Sequence, residues 1–320
     1  MNSLSRRSFL ALAVGGSSFA LSACGSADSG SKGGYKVGVL QLTEHAALDA
    51  ANAGFVRALD ESGLSCTIDQ QNAQNDQSAC QTIASKLVND GDDLILAIGT
   101  PAAQAVAGAT DQIPVIGTAI TDFAASGLVA SNDAPGGNVT GSSDLTPVED
   151  QFDLLVKLIP SAKKVGLLYC TAESNSDVQV ALAEAAASAR GLECVRFSVS
   201  SSNEIQQVVE SMVGKVDVAY APTDNTIAAG MSTVSMVAIE HKLPVIVGEQ
   251  GMVDNGGLAT YGIDYDQLGY KAGQMAVKVL KGEAKPAEMP IEHLAADDCT
   301  LATNQATADA IGVDLSVLGA

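Results

Sequence analysis

Residues 94–104 read LILAIGTPAAQ. Leu94 to Ile98 are continuously apolar, with no polar residue on alternate positions. That pattern suits a short strand covered on both faces. Gly99-Thr100-Pro101 then turns the chain, with proline placed to open a helix. A doubly buried strand that runs straight into a helix is the unit of a parallel sheet.

The unit recurs outward from there. Val37 to Leu40 reads as a strand, followed by a helix carrying Ala51, Phe55 and Leu59 that ends near Gly63. Cys66-Thr67-Ile68 is the next strand. Asn75-Asp76 then caps a helix with Ala79, Ile83 and Leu87 on one face. Pro114 to Gly117 forms a fourth strand. The pattern restarts at Thr146-Pro147-Val148-Glu149, read as a capping box with proline in the first helical position. Its helix carries Phe152, Leu155 and Leu158. Strands follow at 165–169, 195–197, 216–220 and 245–247. Ser201 and Glu204 read as a second capping box, before a helix carrying Ile205, Val208, Val209 and Met212. Leu268, Ala272, Met275, Ala276, Val279 and Leu280 form the last strong stripe. All these stripes read as core-facing. The fold class is therefore α/β, with two similar Rossmann-like, doubly wound parallel-sheet lobes. The break lies near Gly136–Gly141, where glycines suit a crossing strand or hinge.

The front of the chain reads as an address. Arg6 and Arg7 precede a short apolar run, Leu10 to Leu21, interrupted by Gly15, Gly16, Ser17 and Ser18. It is too short to span a membrane and fits an export signal. Leu21-Ser22-Ala23-Cys24 resembles the lipobox of bacterial lipoproteins, in which the cysteine is lipidated and becomes the mature N-terminus. Ser5-Arg6-Arg7-Ser8-Phe9-Leu10 resembles a twin-arginine export motif. Residues 1–23 are thus expected to be a signal peptide. Residues 24–34, rich in Gly and Ser, are expected to be a flexible tether.

Composition narrows the function. The formal charge is −20, from 17 basic and 37 acidic residues. Loss of residues 1–23 would remove Arg6 and Arg7 and no acid, giving −22. Such a chain repels nucleic acid and anionic lipid, so neither is an expected partner. His45, His241 and His293 lie far apart, and Cys66, Cys80, Cys170, Cys194 and Cys299 contain no C-x-x-C pair. No metal or other cofactor is expected. Cys170 and Cys194, at neighbouring strand candidates, would pair or else be buried as small apolar groups. The chain has no G-x-S-x-G elbow and no phosphate loop, so no catalytic residue is assigned and the chain is not read as an enzyme.

Ligands of open α/β sheets sit beyond the carboxyl ends of the strands, and two facing lobes would share one cleft there. Gln41 and His45 follow the first strand, Thr100 the third, and Thr118, Ala119, Thr121 and Asp122 the fourth. In the second half Asn175 and Ser176 follow one strand, Thr223, Asp224 and Asn225 another, and Glu249 a third. Hydroxyls and helix-start N–H groups suit a carboxylate, while Asp224 or Asp122 suits an ammonium. Together they describe an α-amino acid. Helix capping would explain many of the same residues one by one. His45 would either reach a ligand carboxylate or only cap its helix.

Certain stretches carry a wider likeness. They are Val39 to His45 with Leu48-Asp49, Ala97 to Gln104, Asn138 to Gly141 with Ser143-Asp144, Thr223 to Thr226, and Tyr261 to Tyr265. On these the chain resembles the substrate-binding lipoproteins of ABC transporters of the tryptophan/tyrosine type, from about Lys36 to Leu315. The resemblance implies a type I periplasmic-binding-protein fold with a three-strand hinge. Residues 35–142 with 257–286 would form one lobe, and 143–256 with 287–320 the other. It implies capture of an amino acid, an aromatic one, for a membrane permease and its ATPase, by a monomer lipid-anchored on the extracytoplasmic face. By analogy with type I amino-acid binders, Thr100, Thr118, Ala119 and Thr121 would take the ligand carboxylate, and Asp224 or Asp122 its amine. Ala46 departs from the pattern, which has proline there. The rival readings are a ligand-sensing lipoprotein that feeds a membrane receptor, and a hydrolase working in the same cleft.

Overall fold

The computed structural model describes residues 34–294 and 298–319. The expected signal peptide, nearly all of the expected tether and Cys24, the expected lipidation site, lie outside the described residues.

The first half alternates as its hydrophobic pattern requires. β1 (Tyr35–Gln41), α1 (Ala46–Glu61), β2 (Cys66–Asn72), α2 (Gln77–Asn89), β3 (Leu94–Ile98), α3 (Thr100–Ala109), β4 (Val115–Ile120) and β5 (Val139–Ser143) follow in order. Every residue of β3, β4 and β5 is buried, as expected of strands covered on both faces. The chain then crosses over. α4 (Val148–Leu158), β6 (Lys164–Cys170), α5 (Ser174–Ala189), β7 (Glu193–Val199), α6 (Ile205–Met212), β8 (Val218–Ala221), α7 (Asn225–Ala229), α8 (Met231–Glu240), β9 (Val245–Val247), α9 (Gln250–Asp254) and β10 (Ala259–Gly262) build the second lobe. α10 (Tyr265–Leu280) and β11 (Glu292–His293) return to the first, and β12 (Thr300–Thr303) and α11 (Gln305–Ile311) complete the second.

Two six-stranded sheets result, ordered β11-β5-β4-β3-β1-β2 and β12-β10-β9-β8-β6-β7. The orders match strand for strand, and every pairing is parallel except β10 with β12. The chain changes lobes after Ser143, after Gly262 and after His293, so the hinge has three crossings.

The lobe boundaries differ from those expected. β10 belongs to the second sheet, not the first. It pairs with β9 and β12, and the fully buried Gln151 of α4 donates to Thr260 Oγ1 and to the Tyr261 carbonyl. β11 belongs to the first sheet, through Glu292 and His293 beside Ser142 and Ser143 of β5. Only α10 behaves as expected of residues 257–286. It lies on α1 so closely that a β-carbon at Gly269 would strike the Ala51 carbonyl oxygen, and one at Gly54 the Asp266 carbonyl oxygen.

Two caps also differ. Pro147 is the cap residue of α4 and Thr146 makes no capping bond. Glu204 reaches back one residue further than a capping box requires, to the Ser200 N–H and hydroxyl, and Ser201 makes no side-chain cap. Asp76 caps α2 as expected, accepting from the Ala79 N–H at 2.9 Å. Cys170 and Cys194 are free thiols, with Cys170 buried in an apolar cluster.

Candidate ligand-binding cleft

The carboxyl ends of both sheets face one another, and the lobes touch across them. His45 Nε2 meets Asn225 Oδ1 at 3.1 Å, and Asn75 Nδ2 donates to Thr226 Oγ1 at 2.9 Å. Gln77 reaches the Ala172 carbonyl at 2.8 Å, and Gln104 the Ser174 hydroxyl at 3.1 Å. Gln179 of α5 holds both sides, donating to Thr121 Oγ1 at 3.2 Å and to Thr223 Oγ1 at 2.6 Å. Asn75 and its neighbour Gln74 hold left-handed backbone angles, φ 61° and 53°, to bring this loop across.

The second-lobe wall is built around two acids. Glu173 precedes α5 without capping it. Its Oε2 accepts from Asn225 N at 3.1 Å and Asn225 Nδ2 at 2.6 Å, and its Oε1 accepts from Thr226 N and Thr226 Oγ1, each at 2.8 Å. Asp224 caps α7, accepting from the Ile227 N–H at 2.9 Å. Its other oxygen accepts from the Cys170 N–H and the Ser176 hydroxyl, each at 2.6 Å. Both residues are buried, and burial beside Glu173 raises the Asp224 carboxyl above its ordinary range.

The hinge and the end of β9 contribute more acid. Asp144 follows β5 and accepts from Thr121 Oγ1 at 3.3 Å and from the Tyr265 hydroxyl at 2.9 Å. Burial pushes its carboxyl up to about 6. Glu249 caps α9 through Oε2 and the Gly251 N–H, and burial pushes its carboxyl up to about 7. It lines a cavity of about 850 Å³ between Ala46 and Ala50 of α1 and the hinge at Ile263 and Tyr265. Among the described residues the buried ionisable groups include Asp144, Glu173, Asp224 and Glu249, and no lysine or arginine is buried.

Several buried polar atoms at these strand ends have no hydrogen-bond partner within the protein: His45 Nδ1, Thr100 Oγ1, Asn175 Oδ1 and Glu249 Oε1, with Thr146 Oγ1 at the first crossing. Such atoms cost free energy unless something else bonds them. They identify which expected site residues remain available. Thr100 is available, and the cap position of α3 is Gly99, which has no side chain to offer. Thr118 spends its hydroxyl on Ser142 Oγ at 2.9 Å, and Thr121 spends its own on Asp144. Ala119 is buried with φ 54°, where the β4–β5 register shifts. Gln41 stays within its own lobe, donating to the Thr43 carbonyl and Asp49 and accepting from Asn52. Asp122 turns away to close its own loop, accepting from Ala125 N and Asn132 Nδ2. His45 does not cap α1. Asp144, Glu173, Gln179 and Tyr265 had no role assigned from sequence. Three of them lie in, or next to, stretches that carry the resemblance or the strand-end list, and that proximity was the available signal.

Residues 36–317 match the family described as ABC transporter substrate binding protein. The chain belongs to that family, whose members bind solutes and are not enzymes. It is 45% identical over 285 residues to the "Tyrosine-binding protein" of Clostridioides difficile, covering 88% of this chain and 82% of that protein. It is 41% identical to a Streptococcus pneumoniae ABC domain solved in complex with L-Trp, with TM-score 0.86, covering 89% of this chain and 98% of that one. It is 46% identical to a substrate-binding protein with adhesive properties from Clostridium difficile, solved ligand-free and open. There the TM-score is 0.66, covering 88% of this chain and 95% of that one. The more identical of these two structures is thus the poorer superposition. The chain, whose lobes touch across the cleft, superposes better on the ligand-bound relative than on the open one. The fold is the two-lobed one of type I periplasmic binding proteins.

Proposed function

We propose that this protein is the extracytoplasmic, lipid-anchored binding component of an importer, and that it captures an aromatic amino acid between its lobes for a membrane permease and its ATPase. The observation that carries the reading is the set of buried polar atoms without protein partners at the strand ends of both lobes. The cleft is rich in acid and, among the described residues, holds no buried lysine or arginine, which suits a ligand with an ammonium group. Glu249, with Oε1 free of donors, is the acid best placed to take it. Asp224 already serves three donors of its own lobe, so its share is to hold the wall. A ligand carboxylate then needs neutral donors, which the Thr100 hydroxyl and the side-chain-free start of α3 supply. The aromatic side chain is supported by the tyrosine and tryptophan named for the two relatives. The lipid anchor rests on the sequence around Cys24.

Calorimetric titration of the mature chain with L-tryptophan, L-tyrosine, L-phenylalanine and the other amino acids tests the reading. Saturable binding of an aromatic amino acid, with a raised unfolding midpoint, is expected. If no amino acid binds, the reading is wrong. Cys24→Ala is expected to release the protein from the membrane fraction, and retention there would refute the anchor.

A further inference from the structure

The contact between His45 and Asn225 has a direction that the neighbouring residues fix. Asn225 Nδ2 lies 2.6 Å from Glu173 Oε2, which also accepts from the Asn225 backbone N–H. Backbone N–H groups only donate, so this carboxylate oxygen is an acceptor, and the amide must point its NH2 toward it. Asn225 therefore presents Oδ1 to His45. His45 Nε2 must donate, and a neutral ring then keeps its lone pair on Nδ1. Nδ1 is the ring nitrogen that is buried without a protein partner.

The same carboxylate is joined to the second bridge between the lobes. Its Oε1 accepts from Thr226 Oγ1, and that hydroxyl accepts in turn from Asn75 Nδ2 of the first lobe. Both bridges exist only when the lobes meet. Separation of the lobes takes Asn225 away from His45 and leaves the ring free to carry its proton on either nitrogen.

We infer that Glu173 is a positioning residue. Through Asn225 it holds His45 in the Nε2–H form when the lobes close, so that the Nδ1 lone pair accepts a hydrogen bond from an N–H or O–H group of the ligand. Glu173 itself need not touch the ligand. This deepens the amino-acid reading and rests on it for the ligand, whereas the tautomer of the ring does not depend on it.

The test is nitrogen NMR of protein labelled in its histidine rings, with the His45 signals assigned by their loss in His45→Gln. In the wild type saturated with L-tryptophan, a single Nε2–H tautomer is expected, with an Nδ1 resonance that moves on ligand addition. Asn225→Ala and Glu173→Ala are each expected to give a mixture of tautomers and about tenfold weaker L-tryptophan binding, the scale of one lost hydrogen bond. Thermal unfolding of the ligand-free variants shows that they remain folded. Asn225→Ala removes fewer bonds and serves if Glu173→Ala does not fold. A wild-type ring protonated on Nδ1, a single Nε2–H form retained in the variants, or an Nδ1 resonance unmoved by bound L-tryptophan would each overturn the inference. Failure of L-tryptophan to bind by calorimetry counts instead against the amino-acid reading, and the tautomers of wild type and variants, compared in protein whose lobes are held closed by a disulfide engineered across the Gln104–Ser174 contact, still decide whether Glu173 sets the ring.

Discussion

The Tyr265 hydroxyl donates to Asp144 Oδ2 at 2.9 Å, and these two residues stand on different crossings of the hinge. Asp144 follows β5 on the way out of the first lobe, and Tyr265 opens α10 on the way back. Both are buried, so the bond ties two hinge segments together away from water. Tyr265→Phe leaves a buried carboxyl with one donor fewer. A loss of about 1–3 kcal/mol is expected, the usual cost of a buried polar group deprived of its partner. Urea unfolding of the ligand-free protein measures it.

Stability should depend on pH with a definite sign. Burial raises the Asp144 carboxyl to about 6 and Glu249 to about 7, and it raises Asp224 as well. A carboxyl raised in the folded state binds its proton more tightly there than in the unfolded chain. Its contribution is complete below the ordinary carboxylate value near 4 and is lost as pH rises through the folded value. His45 opposes this. Burial lowers its pKa, offset in part by its bond to Asn225, so it favours unfolding as pH falls below its ordinary value. One ring against three carboxyls leaves the acids dominant. The unfolding midpoint without ligand is expected to fall between about pH 5 and pH 8, and saturating L-tryptophan should flatten that slope by pairing its ammonium with ionised acid. Scanning calorimetry across that range, with and without ligand, checks both.

Thr100 and Asp224 should separate binding from stability. The Thr100 hydroxyl has no protein partner, so Thr100→Val should leave the ligand-free unfolding midpoint unchanged or raised and weaken L-tryptophan binding about tenfold. Asp224→Ala strips the acceptor from three donors and should cost about 3 kcal/mol of stability before any ligand is added. Paired calorimetry and chemical unfolding on both variants test the contrast.

Gly269→Ala should be costly although alanine is the better helix former. The added methyl meets the Ala51 carbonyl oxygen, so α10 must lift from α1. About 3 kcal/mol is expected, typical of overpacking where backbone has to move. A urea midpoint equal to that of the wild type would show that the two helices separate freely.

What the sequence showed and what it hid follow from the range of the interactions. Buried strands such as Leu94–Ile98 and stripes such as Leu268 to Leu280 are written in neighbouring residues, so the two doubly wound lobes were legible. The strand-end rule reached His45, Thr100, Asn175 and Glu249 for the same reason. Which hydroxyls stay available was not legible, because Thr118 is spent on Ser142, 24 residues away. Glu173 reads locally as a solvated acid before a helix. Its burial comes from Asn225 and Thr226, over 50 residues on. Gln179 reads as the polar face of α5, and only the second lobe's approach to Thr121 makes it a bridge. Thr146 and Ser201 have capping-box spacing, but local geometry gave the cap positions other roles. β10 went to the other lobe because one strand's partners are not encoded in its own four residues.

The close seat of α10 on α1 also sets an order of assembly. The helix that covers α1 is translated only after most of the second lobe. An emerging chain must therefore carry α1 with a bare apolar side until residue 280 has been made. Neither lobe is a continuous stretch of chain, so no single cut yields an intact half.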